Sequence, residues 1–158
     1  MEKFPVKLER ALAASDEVRD LIGELDAELS ANYSPEQRHG LSLDAIFQPH
    51  IRFFVARTDG GAMGCGGVAL FSAFAEVKRM YVRRDGRGGG IADAVLERLT
   101  AEAVSAGLDL LRLETGTRQE RAIRFYERNG FKTCGSFEPY TSMPPAAIVT
   151  SIFMEKMI

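Results

Sequence analysis

Four glycines in five positions, Gly86-Arg87-Gly88-Gly89-Gly90, stand between a strand-like stretch and a long helical pattern. On one side Glu76–Arg83 (EVKRMYVR) reads as a strand; on the other, Ile91, Val95, Leu99 and Ala103 recur every four residues. A bare turn would account for one or two of these glycines, not for four together with Arg87. A strand-to-helix junction without side chains lets backbone N–H groups converge on an anion, and the helix macrodipole adds to that attraction. Arg87 supplies a cation suited to phosphate oxygens, and Ala92 keeps the first helical turn slim. A P-loop is excluded because no Gly-Lys-Ser/Thr follows. A dinucleotide fingerprint fits poorly, because no acidic residue ends a second strand about twenty residues on.

Local signals order the rest of the chain. Val6–Arg10 alternates like a first strand, and Ser15 is placed to cap a helix carrying Val18, Leu21, Ile22, Leu25 and Leu29. Ser34-Pro35-Glu36-Gln37 reads as a second helix start. Arg52–Arg57 and Ala62–Phe71 form a hairpin about Asp59-Gly60-Gly61. Gly107 sits at a helix C-terminus, Leu110–Thr115 is a short strand, and Thr117 with Glu120 predicts a capping box for a helix ending near Asn129-Gly130. Phe131–Cys134 and Ile148–Lys156 read as final strands joined by the irregular segment Gly135–Ala147. With no repeat, linker or low-complexity tract, residues 1–158 are expected to form a single α/β domain.

Composition narrows the partners. A net charge of −2 provides no general field for nucleic acid or an anionic membrane surface, so an anionic ligand needs a local device. No apolar run approaches the roughly 18 residues of a membrane span. The start MEKFPVKLER is charged too early for a signal-peptide core, so a cytoplasmic location is expected. Cys65 and Cys134 lie far apart and read as reduced thiols, and His39 and His50 have no partner at ligand spacing, so no metal site is expected.

Arg87-Gly88-Gly89-Gly90-Ile91-Ala92 fills the pattern Arg/Gln-x-x-Gly-x-Gly/Ala, by which the chain resembles the GNAT superfamily of N-acetyltransferases. EVKRMYV is similar to that family's fourth strand, and ETGTRQERAIRFYERNGF (Glu114–Phe131) to its fifth strand and fourth helix. The resemblance implies an α/β (α+β) fold: a mixed, mostly antiparallel sheet flanked by helices, its fourth and fifth strands splayed into a coenzyme cleft. It also implies that acetyl-CoA is the co-substrate. The loop Arg87–Ala92 would bind its pyrophosphate, and backbone groups of Met80, Tyr81 and Val82 would pair with pantetheine and polarise the thioester carbonyl. Arg84 stands where members often carry proline, and Gly86 where they carry a larger residue. A homodimer is implied by the family only.

For chemistry, Glu76 matches the family position of a general base and Tyr126 its recurrent thiolate-protonating tyrosine. Strand parity puts Glu76, Lys78, Met80 and Val82 on one face unless a bulge breaks the count. Gln119, Ala122, Ile123 and Tyr126 share a helical face, where Ala122 leaves room for pantetheine. Arg118, Arg121, Arg124 and Arg128 make a largely solvated basic face, one member of which could hold the 3′-phosphate. The acceptor pocket is expected from Tyr33–His50 and Phe137–Pro145, with Glu36, Asp44, His50, Glu138 and Tyr140 as candidates to recognise an amine. The expected reaction is direct acetyl transfer to a primary amine of a small molecule. The alternatives are a non-catalytic acyl-CoA sensor and a protein N-acetyltransferase.

Overall fold

The computed structural model describes residues 5–158; Met1–Phe4, part of the charged start, lie outside it. The strands are β1 (Lys7–Arg10), β2 (Ile51–Thr58), β3 (Gly61–Leu70), β4 (Ala75–Val82), β5 (Leu110–Gly116), β6 (Lys132–Cys134) and β7 (Ser151–Met157). They form one seven-stranded sheet in the order β1-β2-β3-β4-β5-β7-β6, antiparallel everywhere except between β4 and β5. The helices are α1 (Asp16–Ser30), α2 (Ile91–Ser105), α3 (Glu120–Arg128) and the short α4 (Pro145–Ile148). Among the described residues no helix is long and apolar enough to cross a membrane.

Two apolar layers cover the sheet, which is why β2 is apolar at successive positions instead of alternating. Phe53 and Val55 join Val18, Leu21, Ile22 and Leu25 of α1 on one face. Phe54 and Ala56 join Val95, Leu96, Leu99 and Ala103 of α2 on the other. Gly66 of β3 lets α2 come close, since a Cβ there would lie 2.7 Å from Val95 Cγ1. Truncating a fully buried side chain such as Leu99 to Ala would cost about 2–5 kcal/mol.

The helix ends follow the local signals where no tertiary contact competes. Ser15 Oγ accepts from Val18 N at 3.2 Å. At the end of α2, Gly107 has φ +82°, with Leu108 N donating to Ala103 O and Gly107 N to Val104 O. That double bond pattern is a Schellman cap.

Three expectations need correction. The helix predicted at Ser34 is one 3-10 turn, Pro35–Gln37, although Gln37 Oε1 does accept from Ser34 N. The chain is then drawn across the site, where His39 Nε2 lies 2.6 Å from Ala147 O. Thr117 and Glu120 do not form a capping box, and α3 begins at Glu120 without a side-chain cap. The amide of Thr117 is spent on Thr150 O and that of Arg118 on the Tyr33 hydroxyl, which hold these residues outside the helix. Ile148–Thr150 belongs to α4 and the turn after it, so the last strand starts at Ser151.

Candidate active site

β4 and β5 pair only at Ala75↔Leu111 and Glu76↔Arg112, then diverge. The edge of β4 that faces β5 therefore has no strand partner along Met80, Tyr81 and Val82, although Val82 O accepts from Arg87 Nε. A bulge opposite Gly66 sets the faces of β4: Lys78 pairs with Gly67 and Tyr81 with Cys65, leaving Arg79 and Met80 against one residue. Arg79 takes φ +55° there and buries its guanidinium against Asp26, 2.5 Å away. The parity expected for β4 is thereby broken. Met80 and Val82 pack with the α2 layer, together with Val77, whereas Glu76 and Lys78 turn the other way.

The glycine loop ends in Gly90, the N-cap of α2, with φ +86°, and Gly88 has φ +84°. Left-handed angles of this kind suit glycine alone without strain. The amides of Gly88, Gly89, Gly90, Ile91, Ala92 and Asp93 make no hydrogen bond to another described residue. Five of these donors, those of Gly88, Gly90, Ile91, Ala92 and Asp93, belong to residues that line one cleft of about 590 Å³ at the helix N-terminus, whereas Gly89 is buried and does not line it. Ala92 and Ile91 line it, as do Met80, Tyr81, Val82, Ala122 and Tyr126. Arg118, Arg121 and Arg128 stand at its margin, whereas Arg124 does not line it.

Arg87 is less mobile than its sequence position suggests. Its Nε donates to Val82 O at 2.9 Å and its Nη2 to Glu28 Oε1 at 3.0 Å, so it ties the loop to α1. A phosphate would have to share this guanidinium with Glu28.

A smaller cavity of about 130 Å³ adjoins the cleft, sharing Leu25, Met80, Gln119, Ala122 and Tyr126 with it. Glu76 is buried at its wall. Oε2 of Glu76 accepts from the Tyr140 hydroxyl at 2.5 Å and lies 2.9 Å from Lys78 Nζ, which also donates to Tyr140 at 2.7 Å. Oε1 is buried without a partner, an acceptor that the fold leaves unused. Burial, and then the charge of Glu76, push the Tyr140 hydroxyl far above the usual phenol range, so it remains a donor.

Glu114, at the end of β5, lines the same cavity and was not singled out in the sequence. Its Oε2 accepts from Ser151 Oγ at 2.6 Å, and burial holds its carboxyl above the usual range. Position on a strand end was the only available signal. Tyr33, Gln37, Arg38 and His39 close the cavity from the segment after α1. The hydroxyl end of Tyr33 sits over Gly116, where any Cβ would overlap it.

Of the residues expected to recognise an amine, Tyr140 alone lines the cavity. Glu36 and Asp44 are exposed, Glu138 is spent on Ser142 Oγ at the surface, and His50 packs on Phe71. The two expected segments do reach the cavity, but through Tyr33, Gln37, Arg38, His39 and Tyr140. Tyr126 is buried between Phe125 and Phe131, and its hydroxyl makes no hydrogen bond to a described residue. Burial alone pushes that phenol well above its ordinary value. Cys65 is buried in β3 and its thiol is pushed up to about 12, so it behaves as a small apolar side chain.

Residues 49–133 match the family model of the GNAT acetyltransferase domain. The chain belongs to the GNAT acetyltransferase family. It is an acetyl-CoA-dependent N-acetyltransferase, and relatives extend the likeness beyond the matched region. An IAA acetyltransferase of Azospirillum brasilense is 42% identical over 153 residues, covering 96% of this chain and 97% of that protein. A solved structure from Klebsiella pneumoniae, assigned as an acyl-CoA N-acyltransferase, is 30% identical with a TM-score of 0.76, each chain covered to 97%. The PaiA N-acetyltransferase of Thermoplasma acidophilum, solved with coenzyme A, shares the fold at 18% identity and a TM-score of 0.71, over 96% of this acetyltransferase and 99% of that chain.

Proposed function

We propose that this acetyltransferase moves acetyl from acetyl-CoA to the primary amine of a small molecule, by direct attack in a ternary complex. The observation that carries the reading is the junction of the two cavities at Tyr126, with the carboxylates of Glu76 and Glu114 on the acceptor side. The acceptor cavity, of about 130 Å³, accommodates a small molecule. Residues 1–158 act in this reading as one catalytic unit, with a cytoplasmic location and a homodimeric state as its outer expectations.

The residues present fit the coenzyme. The five free amides of Gly88, Gly90, Ile91, Ala92 and Asp93 suit a pyrophosphate, the unpaired edge at Met80, Tyr81 and Val82 suits pantetheine amides, and Arg118, Arg121 and Arg128 suit a 3′-phosphate. The same fold solved with coenzyme A in the T. acidophilum protein supports this assignment. Acetyl-CoA, when bound, supplies the activated acyl group.

The protein's part is to position and to move protons. Glu76 takes the proton of the incoming ammonium at Oε1, while Lys78 and Tyr140 fix its orientation through Oε2. A second reading gives that proton to Glu114, favoured by its raised pKa, because a base works best when its pKa approaches the working pH. Tyr126 holds a proton at Oη beside the junction, available to a departing thiolate.

A panel of primary amines with acetyl-CoA, read by release of free CoA thiol, tests the reading. Initial-rate lines that intersect as both substrates are varied are expected. Parallel lines would replace the ternary complex by an acetyl-enzyme route, and no release with any amine would remove the reading itself.

A further inference from the structure

Arg52, Arg57, Arg79, Arg83, Arg87 and Arg112, all at least partly buried, each meet a carboxylate within 3.6 Å. Arg38 does not. It is likewise partly buried and lines the acceptor cavity, yet it has neither an ion pair nor a side-chain hydrogen bond with any described residue. Its Nε is buried without an acceptor, as are those of Arg79, Arg83 and Arg112, but each of these three has a carboxylate beside its guanidinium and Arg38 has none. A guanidinium N–H withdrawn from water in this way carries a desolvation cost that nothing in the fold offsets.

The position of Arg38 is held from both sides. The 3-10 turn before it closes with Arg38 N on Pro35 O at 3.3 Å, and the next residue, His39, is tied to Ala147 O. The charges around the cavity are also unevenly matched. Glu76 has Lys78 as a partner, and Arg79 has Asp26. That leaves Glu114, whose side chain bonds among the described residues to Ser151 alone, and Arg38, whose side chain bonds to none of them. One carboxylate and one guanidinium in the same small cavity, neither paired within the protein, complement a ligand bearing both charges.

We propose that the acceptor is a small amino acid, its carboxylate held by Arg38 and its amine turned toward Glu76 and Glu114. The planar fork of a guanidinium matches a carboxylate with two parallel N–H···O bonds. A dianionic phosphate is disfavoured by the two carboxylates that share the cavity. The cavity of about 130 Å³ accommodates a free α- or ω-amino acid. This inference rests on the acetyl-transfer reading only for which end of the ligand reacts.

The test titrates matched amino acids and amino-acid amides, such as glycine with glycinamide and 4-aminobutyrate with its amide, into the protein saturated with CoA. At least one acid is expected to bind about ten- to a hundredfold more tightly than its amide, the usual effect of a hydrogen-bonded charge pair. Arg38→Gln should erase that preference, and Arg38→Lys should keep only part of it. The coenzyme-induced rise in Tm in both variants reports that the fold is intact. The inference is overturned if no acid binds at millimolar concentration, if each amide binds as tightly as its acid, or if the preference survives Arg38→Gln. CoA release with the same pairs speaks separately: acids that bind but never release CoA from acetyl-CoA would overturn the amino acid as acceptor and leave only a carboxylate-binding site, without touching acetyl transfer to other amines.

Discussion

Tyr140 donates its hydroxyl hydrogen to Glu76 Oε2 at 2.5 Å, a bond that joins residues 64 positions apart and fixes one carboxylate oxygen at the wall of the smaller cavity. Lys78 bonds to both, so the three side chains act as one unit. Tyr140 packs by its ring on Phe137 and Phe153, which the phenylalanine variant would preserve. Tyr140→Phe should therefore remove only the hydroxyl, at a cost of about 2 kcal/mol, and lower Tm by roughly 4–8 °C. kcat/KM should fall about tenfold as Glu76 gains freedom to turn. A thermal melt unchanged within about one degree would mean that the bond contributes nothing in solution.

Glu114 gives a pH signature. Its carboxyl titrates above the ordinary range in the folded protein because burial disfavours the charge. Between the ordinary value and the raised one, the native state holds a proton that the unfolded chain has released. Stability attributable to Glu114 is thus present at acid pH and is lost as pH rises through the folded value. Glu114→Gln has no such loss, so its stability relative to the parent should improve from about pH 4 to above the raised pKa. Urea midpoints across that range measure it, and a difference that does not vary with pH would contradict the assignment.

The same variant separates the two candidate bases. Whichever of Glu76→Gln and Glu114→Gln removes the proton acceptor should lower kcat/KM about 10²-fold near neutral pH and lose the acidic limb of the profile. Its defect should shrink at high pH, where the free amine forms without help. Rates within about twofold of the parent in both variants would assign proton removal to neither.

Gly90 and Gly107 share a left-handed backbone at opposite ends of α2. Gly90→Val and Gly107→Val should both destabilise, through the same strain. Only Gly90→Val should also abolish the rise in Tm produced by acetyl-CoA, because it alone borders the free amides of the loop. A normal coenzyme shift in folded Gly90→Val would remove the loop from the binding site.

Tyr126→Phe breaks no hydrogen bond to a described residue and leaves the ring packed on Phe131, so stability should change by no more than about 0.5 kcal/mol. Coenzyme affinity should hold while kcat falls tenfold or more, the expected result when only a proton donor is lost. The shape of the pH profile should not change, since burial keeps this phenol protonated throughout the working range. Unchanged kcat would leave Tyr126 as packing alone.

Much of this molecule was written locally. The caps at Ser15 and Gly107, the turn at Gly60, the four-residue spacing of Ile91, Val95, Leu99 and Ala103, and the glycine junction each depend on residues close together in the chain, and each appears where the pattern put it. The coenzyme half of the candidate site was legible for that reason: its donors are successive backbone amides of one loop. The acceptor half was not. Arg79 entering a bulge reversed the face of Glu76 relative to Met80, and neighbouring residues on β4 carry no sign of this because the bulge is set by pairing with β3. Glu28 captured Arg87 from 59 residues away, and Tyr140 reached Glu76 from the far loop. Amides already taken by Tyr33 and Thr150 cancelled the capping box at Thr117. Sequence alone determined what depends on backbone conformation and nearest-neighbour spacing. Only the tertiary structure decided which charges meet, because a carboxylate's partner is chosen by the crossing of strands and loops and not by its neighbours along the chain.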